Sequence, residues 1–114
     1  MENYLNNNTS KALDDLIEYV ITSSDYQTCQ RLKIEMKNDP QLMNNINRLR
    51  DIQKRYVKSN FSENIKVLMD EQLELLNHNK TYILYLYHLE RVNDMLDTIK
   101  SELNTYFYKI TNIL

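Results

Sequence analysis

The chain has no glycine and no tryptophan, and only one proline, one cysteine and two histidines in 114 residues. Each scarcity closes off some chemistry. Without glycine there is no phosphate-cradling loop, no Gly-rich dinucleotide turn and no GxSxG nucleophile elbow. There is also no Asn-Gly or Asp-Gly hairpin signal, on which a β-rich domain of this size would depend. An all-α fold is therefore expected. A single cysteine, Cys29, excludes an internal disulfide framework and any multi-cysteine zinc or iron–sulfur site within one chain. It suits a reducing compartment, and its spacing with Leu32 and Met36 reads as a small core residue. His78 and His88 form no i,i+4 pair and no HExxH, so both read as ordinary surface or boundary residues. No metal or cofactor is expected. The longest apolar run, Tyr82 to Tyr87, is far too short to span a bilayer. Met1 to Ser10 is polar and Asn-rich, unlike a signal peptide. The expected location is the cytoplasm, with no membrane insertion.

What the chain does have is a seam. Tyr82, Tyr85, Leu89, Val92, Leu96, Ile99, Leu103, Tyr106, Ile110 and Ile113 recur at alternating spacings of three and four. This heptad pattern predicts one long helix from residue 80 to residue 113, about 50 Å at about 1.5 Å per residue. Such a helix is long for one small domain. Part of its stripe is expected to meet this chain's own helices and part another subunit. Tyr82, Tyr85, Leu86 and Leu89 at one end, Leu96 and Leu103 in the middle, and Tyr106, Phe107 and Ile110 at the other end are the candidate contacts. Tyrosine suits a half-buried interface because its hydroxyl must stay wet or find a partner. The same residues could equally serve as intramolecular core.

Four shorter helices are predicted before it. The first begins at Thr9 or Ser10 and carries Leu13, Leu16, Ile17, Val20 and Ile21 on one stripe. Ser24 with Gln27 is a capping-box pattern that starts the second, which carries Cys29, Leu32 and Met36. Asn38-Asp39-Pro40 is the sharpest boundary: Asp39 caps and Pro40 fits the first helical position. The third helix then runs to about Lys58 with Leu42, Ile46, Leu49, Ile52 and Tyr56 inward. After Ser59-Asn60-Phe61-Ser62, the fourth carries Ile65, Leu68, Met69, Gln72, Leu75 and Leu76, ending at Asn77-His78-Asn79. Short connections make neighbours antiparallel, the third and fourth above all. The expectation is a flexible tail over residues 1–9 and a single helical domain over 10–114, with about five helices in an antiparallel bundle.

Charge is uneven. Residues 31–58 hold eight Lys or Arg against three acids, a net of +5, so the rest of a chain at −2 carries −7. Arg48, Arg50, Lys54, Arg55 and Lys58 on the third helix form a candidate surface for an anionic partner. The alternatives are a solvated face, a protein-partner surface and direct nucleic-acid binding, the last disfavoured by Asp51 within the stripe and by the lack of interleaved exposed aromatics. No catalytic constellation emerges, and Asp70, Glu71 and Glu74 read as a solvated helix face.

The order of these features resembles the YlbF/YmcA family of small helical bacterial proteins. The resemblance runs over about residues 10–110. It rests on Ala12-Leu13 through Ile21, Asp25-Tyr26, the Asn38-Asp39-Pro40 helix start with Ile46, Leu49, Gln53 and Tyr56, and Asn79 through Leu86. Leu89-Glu90-Arg91-Val92-Asn93 and Leu96 to Leu103 complete it. The resemblance implies a five-helix protein that self-associates or pairs with a related subunit. It also implies a non-enzymatic regulator working in protein complexes linked to competence, sporulation, biofilm formation and RNA processing with ribonuclease Y. Some relatives bind an iron–sulfur cluster through cysteines that include a C-terminal cysteine-rich tail. This sequence ends at Asn112-Ile113-Leu114 without it, so that role is not carried over.

Overall fold

A computed structural model describes residues 7–113, with side chains over residues 10–112. Five helices follow in order: α1 Asn7–Ile21, α2 Ser24–Lys37, α3 Pro40–Lys58, α4 Glu63–Leu76 and α5 Lys80–Ile113. There is no strand among the described residues. The expected tail over residues 1–9 falls, for residues 1–6, outside the described residues; α1 has already begun at Asn7. No helix of the described residues is long and apolar enough to cross a membrane.

The chain divides into two compact units. One, the hairpin unit, is Cys29–Tyr87. The other, the terminal unit, joins the residues up to Thr28 with those from His88 onward, so α2 and α5 each contribute to both.

In the hairpin unit α3 packs along α4. Met36, Leu42, Ile46, Leu49 and Leu76 form the core, with Met43, Met69, Leu73, Tyr82 and Tyr85 packed against it. The spacing of three and four through Leu42, Ile46 and Leu49 puts them on one face of α3. Leu76 is almost fully enclosed, and a side chain so placed contributes about 2 kcal/mol by leaving water. The one buried polar side chain among the described residues, Gln72, is satisfied: its Nε2 donates to the Asn45 carbonyl at 2.9 Å. The start of α3 is as expected. Asp39 Oδ1 accepts from the Leu42 amide at 3.1 Å, and Pro40 opens the helix where no amide partner is needed.

The turn between α3 and α4 shows how a chain without glycine stops a helix. Asn60 and Phe61 both adopt left-handed φ, 59° and 64°. The Phe61 amide donates back to the Tyr56 carbonyl at 2.9 Å and the Asn60 amide to the Val57 carbonyl at 3.1 Å. These bonds close a Schellman motif, with asparagine where glycine is usual. The Phe61 ring meets the Tyr56 ring edge-on at 5.3 Å, the apolar contact that accompanies this motif.

In the terminal unit Val20 and Val92 are buried. α2 begins at Ser24 as expected, but its capping side chain is one residue earlier. Ser23, not Ser24, caps α2: its Oγ accepts from the Tyr26 amide at 3.2 Å and donates to the Val20 carbonyl at 2.6 Å. Gln27 does not close a capping box, because its Nε2 donates to the Ile21 carbonyl at the end of α1. The α1 stripe is only partly covered: Leu16 is half-buried, while Leu13, Ile17 and Ile21 are exposed.

Candidate interaction surfaces

Asn79 starts α5, its Oδ1 accepting from the Tyr82 amide at 3.0 Å. The seam then passes through three environments. Tyr82 and Tyr85 are half-buried against the hairpin core, and burial raises the Tyr82 pKa, an effect the Arg50 charge opposes. Leu86 is exposed and Leu89 half-buried. Beyond Val92 no described side chain of α5 is buried. Ile99 and Leu103 are half-covered, Leu96 is 45% exposed, Tyr106 61% and Phe107 58%, and Ile110 is also open. The rings of Tyr106 and Phe107 pack edge-on at 6.2 Å. Of the sequence-predicted contacts, the first two tyrosines thus lie on this chain's own core, and the far end stands open.

The terminal unit also holds an ion-paired node that sequence reasoning missed. Asp25, in the first turn of α2, accepts from Nδ1 of His88 at 2.8 Å and from Nε of Arg91 at 3.0 and 3.1 Å. A carboxylate oxygen only accepts, so His88 carries its proton on Nδ1 in this bond. His88 and Arg91 are three apart on α5 and reach the same side. Their hydrogen bonds and charges, the His88 bond foremost, hold the Asp25 carboxyl below its usual pKa against the opposing effect of burial. No local signal could have revealed this, because the partners lie 63 and 66 residues away in sequence.

Beside this node a cleft of about 630 Å³ opens between α1 and α5. Leu16, Tyr19, Met95 and Ile99 supply its apolar wall. Asp25, Arg91, Asp94 and Glu102 line it as well. Asp94 and Glu102 are exposed and have no ion-pair partner among the described residues.

The five basic residues of α3 are all exposed, and none is ion-paired among the described residues. Arg50, Lys54 and Lys58, at spacings of four, line a shallow groove with Gln53 and Val57. Arg48 and Arg55 do not line it.

A family model described as control of competence regulator ComK, YlbF/YmcA, matches residues 10–106. The chain belongs to the YlbF/YmcA family. No curated protein and no solved structure gives a significant match. The resemblance read from Ala12 to Leu103 and the five-helix, all-α expectation that came with it both hold. One copy of this chain does not supply the cysteines of an iron–sulfur cluster by itself. Such clusters are held by several thiolates, whereas Cys29 stands alone and is buried. Among the described residues, no group of three His, Cys, Asp or Glu side chains could hold a metal ion.

Proposed function

We propose that this YlbF/YmcA-family protein is a non-enzymatic, cytoplasmic regulatory adaptor that works through helix–helix contacts and self-associates through α1 and α5. The observation that carries this reading is the second half of α5. A helix with no fully buried side chain beyond Val92 among the described residues, and with Leu96, Tyr106, Phe107 and Ile110 on its surface, has little to hold it helical in water by itself. An apolar surface of this kind marks a protein contact. The description of the family as controlling a competence regulator supports a role in protein complexes. On this reading burial of apolar stripes supplies affinity and the flanking charges choose the partner.

Light scattering over a dilution series tests it. The expected mass at micromolar concentration is at least twice the 13.8 kDa of one chain. Replacing Leu96→Asp and Leu103→Asp together is expected to split that assembly or unfold the chain. A wild-type monomer at every concentration, or a folded double variant of unchanged mass, would overturn the proposal.

A second reading, an anionic partner such as a nucleic acid on α3, draws on the unpaired row of Arg50, Lys54 and Lys58. A low-salt gel shift without a complex at high micromolar protein removes it.

A further inference from the structure

We propose that the groove along α3 lined by Arg50, Gln53, Lys54, Val57 and Lys58 docks an acidic amphipathic helix of a partner protein. The partner's carboxylates recur one turn apart, and an apolar side chain beside them covers Val57. This rests on the reading of the chain as an adaptor that works through helix–helix contacts, and it assigns to α3 a contact separate from self-association through α1 and α5.

The row repels itself, and no described residue relieves it. Arg50, Lys54 and Lys58 follow at one-turn intervals on α3, roughly 6 Å apart along its axis. Like charges at that spacing repel. Asp51 is the only acid on α3, and it makes no ion pair with them. Arg50 donates to Asn47 Oδ1 at 3.5 Å, while Lys54 and Lys58 make no hydrogen bond among the described residues. On α2, by contrast, Arg31 meets Glu35 one turn on at 2.9 Å, so this chain does supply a counterion where the pairing is internal. The other face of α3 is buried through Leu42, Ile46, Leu49 and Ile52, which fixes the helix and with it the spacing of the row.

A partner helix matches this row step for step, because helices laid side by side share one rise per residue. Acids at i, i+4 and i+8 on it meet the three cations in turn. Val57 is exposed beside them, and an apolar residue flanking the partner's acids takes it out of water. Gln53 adds an amide that can both donate and accept. A helix satisfies its own backbone, whereas a helix face such as α3 gives an extended segment no backbone groups to pair with. Nucleic acid fits less well. No aromatic side chain lines the groove, so a base has no ring to stack on. The whole chain carries −2, so no net positive field draws in a polyanion.

The probe is a fluorescently labelled synthetic peptide of about 20 residues, long enough to be helical. It carries glutamates at i, i+4 and i+8 and leucines on one flank of that row. Its anisotropy with the full chain is read at about 0.15 M salt, where charges more than about 8 Å apart are largely screened. Saturable binding is expected. Lys54→Glu is expected to weaken it at least about ten-fold. Arg48→Glu makes the same change in net charge off the groove and is expected to leave binding within about two-fold. A peptide of the same composition with its glutamates scrambled is expected to bind at least about five-fold more weakly. Circular dichroism checks that each variant stays helical. No binding, equal effects of Lys54→Glu and Arg48→Glu, or equal binding of the scrambled peptide overturns the proposal. A single-stranded RNA oligonucleotide that displaces the peptide and binds more tightly overturns it too, and assigns the row to nucleic acid. Failure of the peptide beside an intact wild-type oligomer leaves the self-association reading standing. A wild-type monomer that still binds the peptide through Lys54 removes that reading and supports this one.

Discussion

Asp25 concentrates more interactions than any other described carboxylate, and its chemistry has a direct consequence for pH. Its pKa is depressed in the folded protein by His88 and Arg91. A depressed carboxylate contributes stability that is fully present above the unfolded pKa and is lost as pH falls through the folded one. The ordinary value is 3.8, so the contribution is complete at neutral pH and disappears below that value. Asp25→Asn is expected to lower the melting temperature at about pH 7. The gap from wild type should narrow as the pH falls below the ordinary carboxylate value and through the lowered folded one, where Asp25 takes up its proton. Thermal melts followed by circular dichroism across that range check it. A gap independent of pH would mean the carboxylate charge is not what matters. Asp25 and His88 were each visible in the sequence, but their pairing was not. Capping and periodicity are local signals, and a contact spanning 63 residues leaves no trace in either.

Helix boundaries were legible where one residue type has one physical use. Asp39-Pro40 marked the start of α3 because aspartate caps and proline fits only there. Ser24 was read as the cap of α2 from its spacing to Gln27, but an adjacent serine caps equally well in principle, and geometry chose Ser23, which also reaches the Val20 carbonyl. The α3–α4 turn was read as a turn, but its left-handed backbone was hidden, since the usual marker, glycine, is missing. That substitution has a cost. A left-handed backbone disfavours any residue with a Cβ, and asparagine tolerates it better than most. Asn60→Gly is expected to stabilise the hairpin by about 0.5–1 kcal/mol, and Asn60→Val to destabilise it by about 1 kcal/mol or more. Urea unfolding midpoints measure both. Equal midpoints for the three proteins would show that the turn relaxes to another conformation.

Across the whole molecule burial is uneven, and this was the part least accessible to sequence reasoning. Periodicity says which side of a helix is apolar but not whether anything covers it. The stripes of α3 and α5 look alike on paper. Yet Leu42, Ile46, Leu49 and Ile52 are buried, while Leu96, Tyr106 and Ile110 stand open. The stripe of α1 is likewise only partly covered, with Leu13 and Ile17 open. Local stability follows local burial, so the hairpin and the end of α5 are expected to open with different free energies. Amide hydrogen exchange in dilute solution is expected to be slow in α3 and α4 and fast in α5 beyond about Val92. In the proposed function self-association covers only the exposed stripes, and mass action stabilises whatever it covers. Raising the protein concentration is therefore expected to slow exchange in α1 and the second half of α5, with little change in the hairpin. Exchange in α5 that is fast at every concentration would separate this stripe from any self-contact. Slow exchange there at the highest dilution would mean the helix is held within a single chain.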